Sequence, residues 1–255
     1  MNNIEKTEDL FANIPESVIE VPSRDLFEGM HNDDDLFSPM DREKNEHTIS
    51  VDIEVVKGDI TTREVDVIVN AAHEGLTGGG GVDGAIHMAA GQKLLGECLG
   101  LYGCPTGEAR ITNGYDLPAK YIIHTVGPVW TPDQSTRQKA IVQLSRCYKN
   151  SLTLAEMQGL KSIAFPCIST GAYCFPKEIA ATIAVHSVYS WFNAFMSHLE
   201  NDSGSYLDLV EFVCFTDEDV EFYRKAIADE EMNMESYNES NTDCRINILD
   251  LDNEL

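Results

Sequence analysis

The sequence predicts an α/β layered fold, with helices on both faces of one sheet. Two observations carry this. Runs of β-branched and aromatic residues at 51–56, 65–69, 121–126, 162–167 and 209–215 have the length and composition of buried strands. Between them, residues 83–99, 135–158, 177–195 and 218–228 keep apolar side chains at helical spacing. Residues 110–112 offer one further short strand. Pro176 stands where the third helix begins, and a missing N–H costs nothing in a first helical turn.

Charge divides the chain into three. Of the 255 residues, 43 are acidic and 18 basic, a formal net charge of −25. Residues 1–50 carry 13 acidic against 4 basic side chains, and residues 229–255 carry 9 against 1. We therefore expect a globular unit over residues 50–228 between two acidic, disordered tails, 1–49 and 229–255. The first tail repeats a phrase, Asp9-Leu10-Phe11, Asp25-Leu26-Phe27 and Asp35-Leu36-Phe37, and Ile248-Leu249-Asp250-Leu251-Asp252 is related. Chance in acidic low-complexity sequence is one reading of these phrases; short docking motifs for a partner protein are the other.

Composition also excludes functions. So negative a chain repels nucleic acid, which needs basic patches to displace its counterions. The seven cysteines, at 98, 104, 147, 167, 174, 214 and 244, are odd in number, scattered and without a Cys-x-x-Cys pair, so no metal site is expected. No apolar stretch is long enough to span a membrane, and no signal peptide opens the sequence. A reduced compartment, cytoplasm or nucleus, is expected, with the protein a monomer.

Ligands of such folds lie at the carboxyl ends of the strands, and four loops fall there. Gly58-Asp59-Ile60-Thr61 places a carboxylate just past the first strand, where it could accept from an exocyclic amine or simply cap a turn. Asn70-Ala71-Ala72-His73 leads into Gly78-Gly79-Gly80-Gly81-Val82-Asp83, four glycines entering a helix. Bare backbone there lets N–H groups approach an anion closely, and the helix N-terminus adds unpaired donors. Asp83 is unwelcome beside an anion. Either it caps the helix, or it handles a water or a sugar next to phosphates. Ser169-Thr170-Gly171-Ala172-Tyr173 is a second cradle of N–H donors, and two cradles point to a diphosphate. Phe215 ends the last strand, where it could stack on a base or belong to the core.

Together these residues resemble a macrodomain, most closely of the MacroD type. The resemblance runs from about Ile53 to Ala228. Its phrases include Gly58-Asp59-Ile60-Thr61, Val65-Asp66-Val67-Ile68-Val69-Asn70-Ala71-Ala72, the tetraglycine with Val82-Asp83-Gly84, and Leu117-Pro118-Ala119-Lys120-Tyr121. It continues through His124-Thr125-Val126-Gly127-Pro128 and Ala164-Phe165-Pro166-Cys167-Ile168-Ser169-Thr170-Gly171. So many ordered phrases are far more specific than one glycine motif.

The resemblance implies a three-layer α/β/α unit with a six-stranded mixed sheet and ADP-ribose in a cleft at the strand ends, with no cofactor. Carried over by position, Asp59 and Ile60 would hold the adenine, and Phe215 would stack beside it. Ser169, Thr170, Gly171, Ala172 and Tyr173 would wrap the diphosphate from one side, and Gly80, Gly81 and Val82 from the other. From the loop residues themselves, Asn70 and His73 could both offer side chains to sugar hydroxyls, and Phe175 is expected as a neighbour of the distal ribose. Asp83 and His73 are the candidate catalytic pair; His87 and His124 match family positions and are read as structural. Two positions depart from the pattern: the family usually has Asn at His73, contacting the distal ribose, and Gly at Cys174. The implied activity is removal of mono-ADP-ribose from acidic side chains of proteins and deacetylation of O-acetyl-ADP-ribose. A non-catalytic reader of ADP-ribosylated proteins, and an ADP-ribose 1″-phosphate phosphatase, are the alternatives.

Overall fold

The structure is a computed structural model that describes residues 50–197, 206–237 and 245–248. The Asp-Leu-Phe repeats and Cys244 lie outside these residues. Seven strands form one sheet: β1 (Ser50–Lys57), β2 (Val67–Ala72), β3 (Ala109–Asn113), β4 (Tyr121–Val126), β5 (Ser162–Pro166), β6 (Leu209–Cys214) and β7 (Arg245–Ile248). Their order is β3-β4-β2-β5-β6-β1-β7. Only β3 runs antiparallel to its neighbour, with Ile111 opposite Ile123. The six expected strands of a mixed sheet are thus β1 to β6, and β7 extends the β1 edge in parallel, Val51 opposite Ile246.

Among the described residues, five α-helices cover the sheet: α1 (Gly81–Ala90), α2 (Gln92–Gly100), α3 (Gln134–Met157), α4 (Lys177–Ser197) and α5 (Asp217–Tyr237). Strand residues alternate between the two faces. Val67, Val69, Ile123, Phe165 and Phe212 pack with Leu144, Tyr148, Trp191 and Tyr223 of α3, α4 and α5. Ile68, Ile122, Ala164 and Val213 pack with Ile86 of α1 and Leu94 and Cys98 of α2. Both faces are dry, which is why the strands read as near-continuous apolar runs. Among the described residues, no helix is long and apolar enough to cross a membrane.

Most boundaries agree to within one or two residues, and three differences bear on the site and the domain limits. The pattern over 83–99 is two helices, broken at Gly91, whose φ of 81° is left-handed. A Cβ there would stand 2.6 Å from Asp116 Oδ2, so only glycine fits the corner. Helix α5 runs nine residues past 228, because Met234 still packs against the core on its inner side. With β7, it brings part of the expected C-terminal tail into ordered elements. The strand β2 begins at Val67 and ends at Ala72, two residues later than read at its start, so Asn70 is inside the sheet rather than in a loop.

Candidate functional site

The carboxyl ends of β1, β2, β5 and β6 open into one cleft of about 750 Å3, a size suited to a small-molecule ligand. Of the predicted site residues, Asp59, Ile60, His73, Gly80, Gly81, Val82, Asp83, Ser169, Thr170, Gly171, Ala172, Tyr173 and Phe215 line it. The lining holds three carboxylates, Asp59, Asp83 and Asp219, and no lysine or arginine. An anion in this cleft is therefore met by backbone amides, not by side-chain cations.

Those amides come from two sides. On one, Gly80 caps α1 with no side-chain hydrogen bond, leaving the first turn's donors open to the cleft. On the other, the segment from Cys167 to Phe175 is folded tightly on itself. Thr170 donates through both N and Oγ1 to the Cys167 carbonyl, Cys174 N donates to Gly171, and Phe175 N donates to Ser169. The Tyr173 carbonyl accepts from Trp130 N at 2.9 Å. Ser169 is held at φ 68°, a left-handed conformation, and its buried Oγ has no partner among the described residues. Two facing sets of N–H donors suit a pair of phosphates.

Asp83 occupies the third position of α1 and is 4% exposed. Its Oδ1 accepts from Asn70 Nδ2 at 2.8 Å. The second proton of that amide faces His124 Nδ1 at 3.0 Å, and His124 Nε2 faces Thr112 Oγ1 at 2.9 Å. An amide nitrogen only donates, so Nδ1 of His124 accepts and Nε2 carries the proton given to Thr112. Burial, with His87 nearby, pushes the His124 pKa down to about 3 and keeps the ring neutral. The chain Thr112–His124–Asn70 thereby fixes one carboxylate oxygen of Asp83. Its other oxygen, Oδ2, lies beside Gly79, where a Cβ would approach it to 3.1 Å. His87 Nε2 stands 3.5 Å from Oδ1, outside hydrogen-bond geometry, and is buried without a partner among the described residues.

Two predicted contacts are corrected. Asn70 does not line the cleft: inside β2 its side chain points under α1 and is fully buried behind Asp83. Phe175 is 2% exposed and packs at 4.5 Å on Trp130, so it supports the second loop from beneath instead of touching a ligand. His73 does line the cleft, yet its nitrogens are not open to a hydroxyl. Nδ1 accepts from Gly75 N at 3.0 Å, and Nε2 faces the Gly78 carbonyl at 3.1 Å and Thr77 Oγ1 at 3.2 Å. Asp59, for its part, caps the turn after β1, accepting from Thr61 N and Oγ1, while remaining exposed at the rim. Phe215 is 82% exposed, a flat apolar ring left in the open beside the cleft.

Among the lining residues that the sequence reading did not name, the one with a charged side chain is Asp219. Its Oδ2 accepts from Thr216 Oγ1 at 2.6 Å, and its own N donates back to that hydroxyl, a reciprocal cap on α5. The spacing Thr216-x-x-Asp219 is a capping-box signal that could have placed it. For a metal, ligand-type atoms of His87, Cys98 and His124 lie within 4.8 Å of one another. Nε2 of His124 is already spent on Thr112, and burial pushes the Cys98 thiol up to about 11. Cys98 Sγ lies 3.7 Å from His124 Nε2, and this pair belongs to the buried core behind Asp83, with the His87 ring beside it.

Comparison with known proteins agrees with this geometry. The family model described as Macro domain matches residues 69–184. A macro domain-containing protein of Ralstonia nicotianae is 48% identical over 178 residues, covering 70% of this chain and 95% of that one. The human ADP-ribose glycohydrolase MACROD2 is 46% identical over 194 residues, 76% of this chain and 43% of that protein. Among solved structures, a macrodomain of Oceanobacillus iheyensis with ADP aligns at a TM-score of 0.60 and 41% identity, covering 70% of this chain and 91% of that one. A chain that matches 95% of the Ralstonia protein at 48% identity, and 91% of the Oceanobacillus macrodomain at 41%, belongs to the macro domain family.

Proposed function

We propose that this protein is a hydrolase that removes mono-ADP-ribose from acidic side chains of proteins, and that the same site deacetylates O-acetyl-ADP-ribose. The observation that carries the reading is Asp83, a buried carboxylate clamped through one oxygen by Asn70 at the edge of a cleft flanked by two loops that offer backbone N–H donors. Similarity to MACROD2, an ADP-ribose glycohydrolase, and to a macrodomain holding ADP supports it.

In this reading the adenine lies between Asp59, Ile60 and Phe215, and the diphosphate between the amides of 80–82 and 169–173. The distal ribose then reaches Asp83. A water held by the carboxylate attacks the anomeric carbon, the bond from that carbon to the ester oxygen breaks, and the protein side chain leaves as a carboxylate. The water's proton passes to Asp83. Such a leaving group needs no acid, which fits a cleft lined by no lysine or arginine. An arginine-linked ADP-ribose has a far poorer leaving group and is turned over weakly. A positioned base contributes roughly 10²–10⁴-fold, with fixed geometry supplying much of the remainder.

One observation favours a second reading, a reader that binds without cutting: both nitrogens of His73 are occupied by the loop and none is offered to the ligand. The test is release of free ADP-ribose from a glutamate-linked mono-ADP-ribosylated protein. For a hydrolase, release follows the enzyme and drops by 10²-fold or more in Asp83→Ala, while ADP-ribose still binds. Binding without release makes the protein a reader.

A further inference from the structure

The sequence treats His73 as a group for the ligand; its contacts describe something else. The loop from His73 to Gly81 is unusually strained. Leu76, a branched residue, sits at φ 55°, and Gly78 and Gly81 sit at 78° and 62°. A non-glycine residue in the left-handed region persists only where its surroundings hold it there. Leu76 is held partly by burial of its side chain and by its N–H, which donates to the His73 carbonyl at 3.0 Å. Glu74 ties the same stretch outward, its carbonyl accepting from Cys104 N at 2.9 Å and its carboxylate from Thr106 Oγ1 at 3.0 Å, and the imidazole holds it from within. Nδ1 accepts from Gly75 N, which requires Nδ1 to be bare, and Nε2 then carries the proton and gives it to the Gly78 carbonyl and Thr77 Oγ1. One flat ring thus joins the two ends of the strained segment. The packing is tight as well: a Cβ at Gly75 would stand 2.9 Å from His73 Cε1. Past Gly78, the ring's Cδ2 edge lies 3.6 Å from where a Gly79 Cβ would stand, and Asp83 Oδ2 lies 3.1 Å from the same point.

We propose that His73 is the positioning residue of the glycine loop: an uncharged strut that sets the Gly79–Val82 wall for the ligand and takes no part in proton transfer. The idea rests on the ADP-ribose reading only for its ligand; the strut itself is a property of the empty loop. It also says how this chain does without a side-chain donor at position 73. The ring's polar atoms are turned into the loop, so the wall contacts the ligand through backbone and Asp83 alone.

The experiment uses the full chain with His73→Ala and His73→Asn. Asn places an oxygen near the position of Nδ1, keeping the Gly75 contact, but is too short to reach Gly78. Free ADP-ribose binding is measured by calorimetry, hydrogen exchange by peptides covering 74–82, and turnover on the glutamate-linked substrate with its pH profile. The strut predicts that affinity weakens about tenfold in Ala and about threefold in Asn, the loss of the contacts at both ring nitrogens and of those at Nε2 alone. Exchange in 74–82 speeds up in the same order, and kcat/KM falls in step with affinity while the shape of the pH profile is unchanged. A fall in kcat with affinity and exchange unaltered would make the imidazole a proton carrier and overturn the proposal. No change in exchange in either variant overturns it too. Should the wild-type chain bind no ADP-ribose, the ligand reading fails, and exchange in 74–82 still decides for or against the strut.

Discussion

The two loops that face each other across the cleft are held by different means. The glycine loop, His73 to Gly81, has two backbone bonds, Leu76 N to the His73 carbonyl and Cys104 N to the Glu74 carbonyl, and near the ligand wall it leans on side chains: the His73 ring from within, and Asp83 through Asn70 and His124 from behind. The opposite loop, Cys167 to Phe175, is fixed by its own backbone, with three internal N–H bonds and a fourth from Trp130. A wall built on side chains can be tuned by single substitutions and feels protonation. A wall built on backbone bonds is indifferent to most side-chain changes. The chemistry sits on the tunable side, where Asp83 is; the other side only has to present amides to an anion.

The sharpest way to break this contrast is Asn70→Ala. It removes both protons that hold Asp83 Oδ1 and His124 Nδ1, leaving two buried acceptors unpaired. Each orphaned group costs about 1–3 kcal/mol, so the melting temperature falls clearly. Loss of the carboxylate's aim lowers kcat by about 10²-fold, the scale of a misplacement near 1 Å. ADP-ribose affinity, governed by the amides, changes little. If kcat holds while stability falls, Asn70 supports the fold alone and the first loop is not tuned from behind.

Acid sharpens the same contrast. His124 is neutral in the folded protein with its pKa pushed down to about 3, while in the unfolded chain a histidine titrates near 6.5. Between these values the unfolded state binds the extra proton, so this group's contribution favours the native state more as pH rises. Stability should fall by about 1.4 kcal/mol per pH unit on acidification below about 6.5 from His124 alone, a loss complete by about pH 3. The His124 ring resonance in the native protein should stay at its neutral position down to pH 5. A native-state titration midpoint near 6 would undo the tautomer, and with it the orientation of Asn70.

How much of this was legible before the structure follows the range of the signal. The run 121–126 is β4 residue for residue, because a buried strand shows in its β-branched and aromatic side chains, here Tyr121, Ile122, Ile123, Thr125 and Val126. The glycine run before α1 was plain as well, since bare backbone entering a helix shows directly in the sequence. Direction was not legible. Asn70 and His73 are three residues apart in one phrase, yet one points under α1 and the other into the glycine loop, which only the strand's end at Ala72 decides. Phe175 was misplaced for a related reason: an aromatic ring beside a binding loop reads the same whether it faces the ligand or, as here, Trp130. The break at Gly91 hid inside a continuous helical pattern, and the ordered part of the acidic C-terminal segment hid behind its charge.

The smallest effect tests the backbone-built wall. Cys174 is exposed and sits at φ 53°, a left-handed conformation that costs a non-glycine residue about 1–2 kcal/mol. Its thiol makes only a 3.6 Å contact with the Ala172 carbonyl, whereas its N–H is one of the bonds that close the loop. Cys174→Gly keeps that N–H and relieves the strain, but gives the unfolded chain more freedom, worth about 0.5–1 kcal/mol in the opposite sense. The net gain should be at most about 1 kcal/mol, read as a modest rise in the urea midpoint, with ADP-ribose affinity unchanged within twofold. A clear loss of affinity would mean that the Cys174 side chain, and not the loop's backbone bonds, sets the position of the Ser169–Tyr173 amides, and the difference between the two walls would disappear.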